Sequence, residues 1–198
     1  MAWAVSCDNV AGVQALSAAG ADPNQAIDDE FSSVVYIAVG RSDPGTLKAL
    51  LDAGADANVY DLKSERTGLS QALSRGISTN DWRHWELLLA KAGINRPYNN
   101  FGETIAIDAA ALGQFDRVVE LLDRGYRYNL IHLARALEVR EVSPTHVQAQ
   151  WKATAKAKLE ALGAKFPIGA LPPRVIPDEE LRMVCINRPP PCSRLQGA

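Results

Sequence analysis

The sequence predicts an all-α repeat solenoid with short β-hairpin or loop fingers and an irregular C-terminal extension. A phrase that closes a leucine-rich run on glycine recurs along the chain. It reads VQALSAAGADPN at 13–24 and LKALLDAGADAN at 47–58, then returns more weakly as ELLLAKAGIN at 86–95 and VVELLDRGYRYN at 118–129. Its glycines, Gly20, Gly54, Gly93 and Gly125, are spaced by 34, 39 and 32 residues, a fixed-period signature of repeat architecture. Upstream of each glycine stand two short runs with apolar residues at helical spacing.

The fourth copy, TIAIDAAALGQFDRVVELLDRG at 104–125, gives the clearest justification for each element. Ala106, Ala109 and Ala110 supply a small apolar face for a first helix, which breaks at Gly113. Val118, Val119, Leu121 and Leu122 supply the apolar face of a second helix, and Gly125 supplies a left-handed residue to end it. Alanines let a neighbouring copy approach closely, and leucines fill the space between layers. Neither helix buries its face alone, so the copies must stack.

These residues resemble the ankyrin repeat, with its G-x-T-P-L-H-x-A-A-x-x-G phrase followed by V-V-x-x-L-L-x-x-G-A-D-x-N. Gly102, Thr104, Ala109, Ala110, Gly113, Val118, Val119, Leu121, Leu122 and Gly125 fall on that pattern without a gap. The second copy is looser, with Ser33-Val34-Val35-Tyr36 in place of Thr-Pro-Leu-His. The third keeps Thr67-Gly68-Leu69-Ser70 and inserts about five residues around 77–81 before its second helix. The repeats are placed at approximately 1–24, 25–58, 59–95 and 96–129, with a cap at 130–166. In that register Met1 falls where the repeat's leucine belongs. Either the first repeat is a shortened cap or further residues precede it; the location is open, cytoplasmic as the chain stands and periplasmic if a leader was removed.

The fifth unit resembles the repeat at Ile131-His132-Leu133-Ala134 but begins only six residues after Gly125, so no projecting hairpin is expected there. A closing helix is expected from Ser143-Pro144, a cap and first-turn pair, with Val147, Trp151, Ala155 and Leu159 as its apolar stripe. Residues 167–198 form a Pro-rich extension, where prolines forbid a long helix and LRMVCI reads as an extended segment lying on the last repeat.

Composition narrows the function classes. The 198 residues are 47% hydrophobic and 22% charged, an ordered rather than a disordered balance. A net charge of −2 gives no electrostatic reason to expect nucleic acid or an anionic membrane, and no apolar run approaches the length of a membrane span. The opening MAWAVSCDNV lacks the parts of a signal peptide. No His-Glu-x-x-His, Gly-rich phosphate loop or Gly-x-Ser-x-Gly elbow occurs, so the chain reads as a non-enzyme with no cofactor and no metal. Asp22 with Asn24, and Asp56 with Asn58, offer too few oxygens for calcium and read as local turn residues.

Each remaining reactive side chain has a structural reading. His132 takes the histidine place of the repeat phrase, His84 reads as a helix-surface or loop residue, and His146 falls in the first turn of the closing helix. Cys7 reads as a partly exposed, inert thiol. Cys185 and Cys192 flank three prolines and could close a small loop in an oxidising compartment.

What the ankyrin resemblance implies is a protein-binding face formed by finger tips and first helices. Carried over position by position, it comprises Asp29, Glu30, Ser32 and Arg41, then Lys63, Glu65, Arg66, Arg75 and Trp82, and finally Asn100, Phe101 and Glu103. The tips change sign, Asp28-Asp29-Glu30 against Lys63, Arg66 and Arg75, which suits a partner of two-signed charge. The expected function is a non-catalytic interaction module, monomeric when free. Its expected role is that of a bacterial immunity protein that binds and neutralises a toxin enzyme; an adaptor or stabilising subunit of an endogenous enzyme, for example in oxidative-stress defence, is the alternative.

Overall fold

Ser33, Thr67 and Thr104, which stand in the first place of the repeat phrase, each accept a backbone N–H of the following helix, from Val35, Ser70 and Ile107 respectively. Such caps satisfy donors that a helix start leaves without an internal partner. The computed structural model describes residues 1–25, 27, 33–61, 64–99 and 102–171. Among them the chain falls into two compact units, Met1–Gly93 and the residues from Ile94 onward.

The first unit holds three helix pairs: α1 (Ala2–Ser6) with α2 (Val10–Ala18), α3 (Val34–Val39) with α4 (Gly45–Asp52), and α5 (Gly68–Thr79) with α6 (Arg83–Leu89). First helices pack on first helices, α1 on α3 and α3 on α5, while α2 packs on α4 and α4 on α6. Two layers result, with Val5, Val13, Val35, Ala38, Leu47, Leu50, Leu73, Trp85 and Leu88 fully buried between them. Before the third pair comes a two-stranded antiparallel finger, β1 (Tyr60–Asp61) and β2 (Arg66–Thr67), in register Tyr60↔Thr67 and Asp61↔Arg66.

The second unit repeats the plan with α7 (Ile105–Ala111) and α8 (Phe115–Asp123), then α9 (Leu130–Val139) and α10 (Val147–Ala161). Here α7 packs on α9 and α8 on α10. Ala106, Ala109, Ala110, Val118 and Leu121 are fully buried and Gly125 has a φ of 92°, as the fourth copy's pattern predicts; Gly113, at the expected break, has a φ of 73°. The fully buried Tyr126 places its hydroxyl 2.8 Å from that of Thr104. The architecture is an all-α repeat of stacked helix pairs, as the glycine spacing predicts. No strand lies between α8 and α9, where the spacing predicts no hairpin.

Several expectations need correction. The asparagines of the glycine phrase do more than close local turns. Asp22 and Asp56 accept from the backbone N–H two residues on, as expected. Asn24, however, donates to the carbonyl of Gly54 and accepts from Asp56 N–H, and Asn58 accepts from Gly93 N–H. In the second unit Asn95 donates to Gly125 O at 3.1 Å and accepts from the N–H groups of Arg127 and Tyr128 at 2.6 and 3.2 Å. Each asparagine therefore ties one copy's turn to the next copy's. Truncating Asn95 to alanine strands three backbone groups, and we expect a loss of about 1–2 kcal/mol in chemical denaturation, held down by their exposure. A loss below a few tenths would show that water replaces the tie.

The insertion of the third copy lies before its second helix, as the spacing predicts. It is absorbed into α5, 12 residues long against 6 for α3 and 7 for α7, and the left-handed Asn80 (φ 55°) ends it. Gly76 makes room on that extra length, because a Cβ there would run into the Trp82 ring. His84, expected on the surface, has no exposure at all: with Trp85, Leu88 and Leu89 it forms the buried face of α6.

The closing helix starts later than Ser143-Pro144, which form a turn. His146 caps it instead, its Nδ1 accepting from Gln148 N–H. Its expected stripe is only half buried, since Val147 and Trp151 are 71% and 41% exposed while Ala155 and Leu159 are not exposed. The side facing α8 runs through Gln148, bonded to Asp116, and Lys152, whose ammonium lies over the Phe115 ring, to Ala155 and Leu159. Val147 and Trp151 stand one position, about 100° of helix, away from that side. After α10, Ile168 is buried and its N–H donates to the Glu138 carboxylate, so the extension begins against α9. The LRMVCI run lies outside the described residues.

Candidate functional site

The finger of the first unit is held from within. Asp61, 4% exposed, accepts the Ser64 N–H at 2.8 Å, and its Oδ2 lies 2.6 Å from Ser64 Oγ. Ser64 Oγ is also 2.7 Å from the Tyr36 hydroxyl on α3. A hydroxyl carries one hydrogen; with Asp61 able only to accept, the Tyr36 hydroxyl must donate to Ser64. This chain of bonds pins the tip onto the preceding copy. It leaves Glu65, at a left-handed φ of 53°, and Arg66 exposed to solvent. A charged side-chain pair on a fixed backbone is preorganised for recognition.

Arginines on the first-helix side tie neighbouring copies together. Arg41 grips Asp8 with two parallel bonds, Nε to Oδ1 at 3.1 Å and Nη2 to Oδ2 at 3.0 Å. This hydrogen bonding, then the carboxylate charge, raises the Arg41 pKa above its ordinary value. Arg75 repeats the reach one copy later, its Nη2 donating to Ser42 O at 3.4 Å. Arg66 donates to Ser74 Oγ at 2.5 Å across the start of α5, and Ser74 donates in turn to Ser70 O. Arg41, Glu65, Arg66 and Arg75 thus belong to the finger and first-helix layer of one unit.

Trp82 belongs to the same unit but precedes α6. It is half-buried, edge-on to Trp85 with ring centroids 6.3 Å apart and planes at 84°. Glu103 sits in the second unit, where its carboxylate accepts from Asn99 Nδ2 at 2.5 Å and its N–H donates back to Asn99 Oδ1 at 3.1 Å. Asp29, Glu30, Ser32, Lys63, Asn100, Phe101, Cys185 and Cys192 lie outside the described residues. Cys7 is exposed and carries a free thiol.

Sequence reasoning missed the finger's supports, Asp61, Ser64 and Tyr36. An acidic residue three positions before a serine in a tight turn is a signal that could have found the first two. Nothing in sequence links Tyr36 to them across 28 residues. It also missed a groove on the second-helix layer, lined by Asp43, Pro44, Gly45, Lys48, Arg83, Glu86, Leu87 and Ala90.

Among the described residues no three His, Cys, Asp or Glu side chains are grouped as metal ligands, and no helix is long and apolar enough to cross a membrane. No protein-family model and no curated protein matches the sequence. The solved structure of the human ASB11 ankyrin repeat domain is similar over 96% of this chain and 98% of that chain, at 17% identity and a TM-score of 0.40. At that score the likeness adds nothing to the helix pairs, caps and left-handed glycines, which by themselves carry the fold assignment.

Proposed function

We propose that the chain is a non-catalytic protein-binding module whose contact surface is the finger and first-helix layer of its first unit. The observation that carries this reading is the finger itself. A buried carboxylate, a serine and a tyrosine from the preceding copy are spent on fixing a tip whose own side chains, Glu65 and Arg66, reach solvent. Internal stability gains little from such a tip, whereas a partner gains a preorganised, two-signed contact.

Within that class we read the protein as an immunity protein that binds and neutralises a cognate bacterial toxin enzyme. Degenerate copies, one lengthened first helix and a private extension suit one dedicated partner, because specificity then rests on individual contacts. The test uses the purified chain as bait in a lysate of its own organism, with an Arg66→Ala/Arg75→Ala variant beside it. Retention of one toxin-like enzyme, inhibition of its activity, and at least a tenfold weaker complex with the variant are expected, the effect of losing two arginine anchors. Retention of a housekeeping enzyme alone would replace the immunity role with that of an adaptor. Equal retention by the variant would move the contact surface elsewhere.

A further inference from the structure

We infer that the groove between α4 and α6 receives a basic side chain, arginine or lysine, from a protein partner. The inference rests on the protein-binding reading above and adds a second contact on the opposite helix layer. The groove is an open one of about 430 Å³, with Pro44, Leu87 and Ala90 as apolar wall. Space of that order is typical of sites that hold a ligand group.

The charges around it are not equivalent. Both cations on the groove are already matched: Lys48 reaches Asp52 at 2.5 Å, and Arg83 grips Asp81 with bonds of 2.9 and 2.7 Å. The bonds from Arg83 hold the Asp81 carboxyl well below the usual carboxylate range, so it stays ionised opposite Arg83 at neutral pH. The two groove carboxylates, Asp43 and Glu86, form no ion pair among the described residues, although Arg83 feels the charge of Asp43. Asp43 accepts the Gly45 N–H at 3.0 Å. Counting their partners, Asp43, Asp52, Asp81 and Glu86 stand against Lys48, Lys91 and Arg83.

An apolar wall beside two carboxylates that are in no ion pair fits one kind of side chain. Arginine and lysine lay an aliphatic stem on apolar surface and keep a cationic head for an acidic partner. A neutral group would leave both carboxylates without a counter-charge, and an acidic one would be repelled by them. Aromatic occupants would match the wall and not the charge.

The probes are two blocked tripeptides, Gly-Arg-Gly and its neutral citrulline isostere, titrated into the ¹⁵N-labelled full chain. The arginine peptide should shift the amides of Gly45, Glu86, Leu87 and Ala90 saturably. The citrulline peptide should bind at least tenfold more weakly. The variant Asp43→Asn/Glu86→Gln, which keeps the acceptor oxygen that Asp43 offers Gly45 and changes only exposed groups, should lose the same factor at an unchanged unfolding midpoint. No saturable shift at those amides, or equal binding of the two peptides, overturns the inference. If that happens while bait still retains a partner through Arg66 and Arg75, the protein-binding reading stands without the groove. Peptide binding with no partner retained would leave the groove as a site for a basic side chain and remove the contact surface proposed on the finger.

Discussion

Replacing Trp85 with alanine is expected to remove about 3–5 kcal/mol of stability, the range for truncating a fully buried aromatic side chain. Trp85 has no exposure and lies on the inner face of α6, beside Leu88 and across from α5. A loss of that size is a large fraction of a domain's whole stability, so unfolding of the first unit should begin at much lower denaturant. Trp82→Ala supplies the control. Its ring is half-buried and edge-on to Trp85, so its removal opens no sealed cavity and should cost about a third as much or less. Urea unfolding followed by tryptophan fluorescence reads both. Equal losses would mean that the ring over Gly76 is as much a part of the core as Trp85.

The contrast between these two tryptophans bears on what the sequence makes legible. Residues 82–85 look alike as text, an aromatic pair in an irregular copy. Helical phase separates them, and phase is readable for Val118, Val119, Leu121 and Leu122 because a strict glycine-to-glycine register fixes it. In the third copy the insertion removes that register. The extra residues could lengthen a loop or a helix, and only the Gly76–Trp82 contact and the left-handed Asn80 decide for the helix. The same loss of phase misplaces His84; the closing helix follows no glycine register either, and half of its expected stripe, Val147 and Trp151, faces outward.

Turn chemistry is legible only as far as it is local. The bonds from Asp22 and Asp56 run two residues along the chain and follow from residue type. Those from Asn24, Asn58 and Asn95 reach 30–35 residues away and exist because stacking brings successive turns together. The candidate face divides the same way. Exposed charges on the finger could be named from the resemblance, yet Arg41 is committed to Asp8, a contact between copies that no single copy's sequence reveals. The groove at Asp43 and Glu86 is invisible in sequence, because it belongs to two second helices at once.

The second large effect is expected from His84, and it depends on pH. Neither ring nitrogen has a hydrogen-bond partner among the described residues, although the side chain is fully buried. Burial lowers its pKa from the ordinary 6.5, and Arg75 and then Arg83 push the same way, while Asp81 and Asp43 oppose them. The unfolded chain therefore takes up a proton more readily than the folded one. Stability from this group is whole above about pH 6.5 and falls as the pH drops from there toward the folded pKa, levelling once both states are protonated. Asp52 and Asp81, whose pKa values are lowered from 3.8, lose their contributions only in a more acidic window, as the unfolded carboxylates begin to protonate below about pH 5 and increasingly below 4. Urea midpoints between pH 7.5 and 5 thus isolate the imidazole from those two pairs. In wild type the midpoint should fall across that range. His84→Leu, of similar volume and without polar atoms, should gain about 1 kcal/mol at pH 7.5, since it removes an unsatisfied donor and acceptor together. Its advantage should widen toward pH 5 as the wild type alone protonates. A parallel pH dependence in the two proteins would show that the folded state accommodates the charged imidazole, with Asp43 and Asp81 outweighing the two arginines.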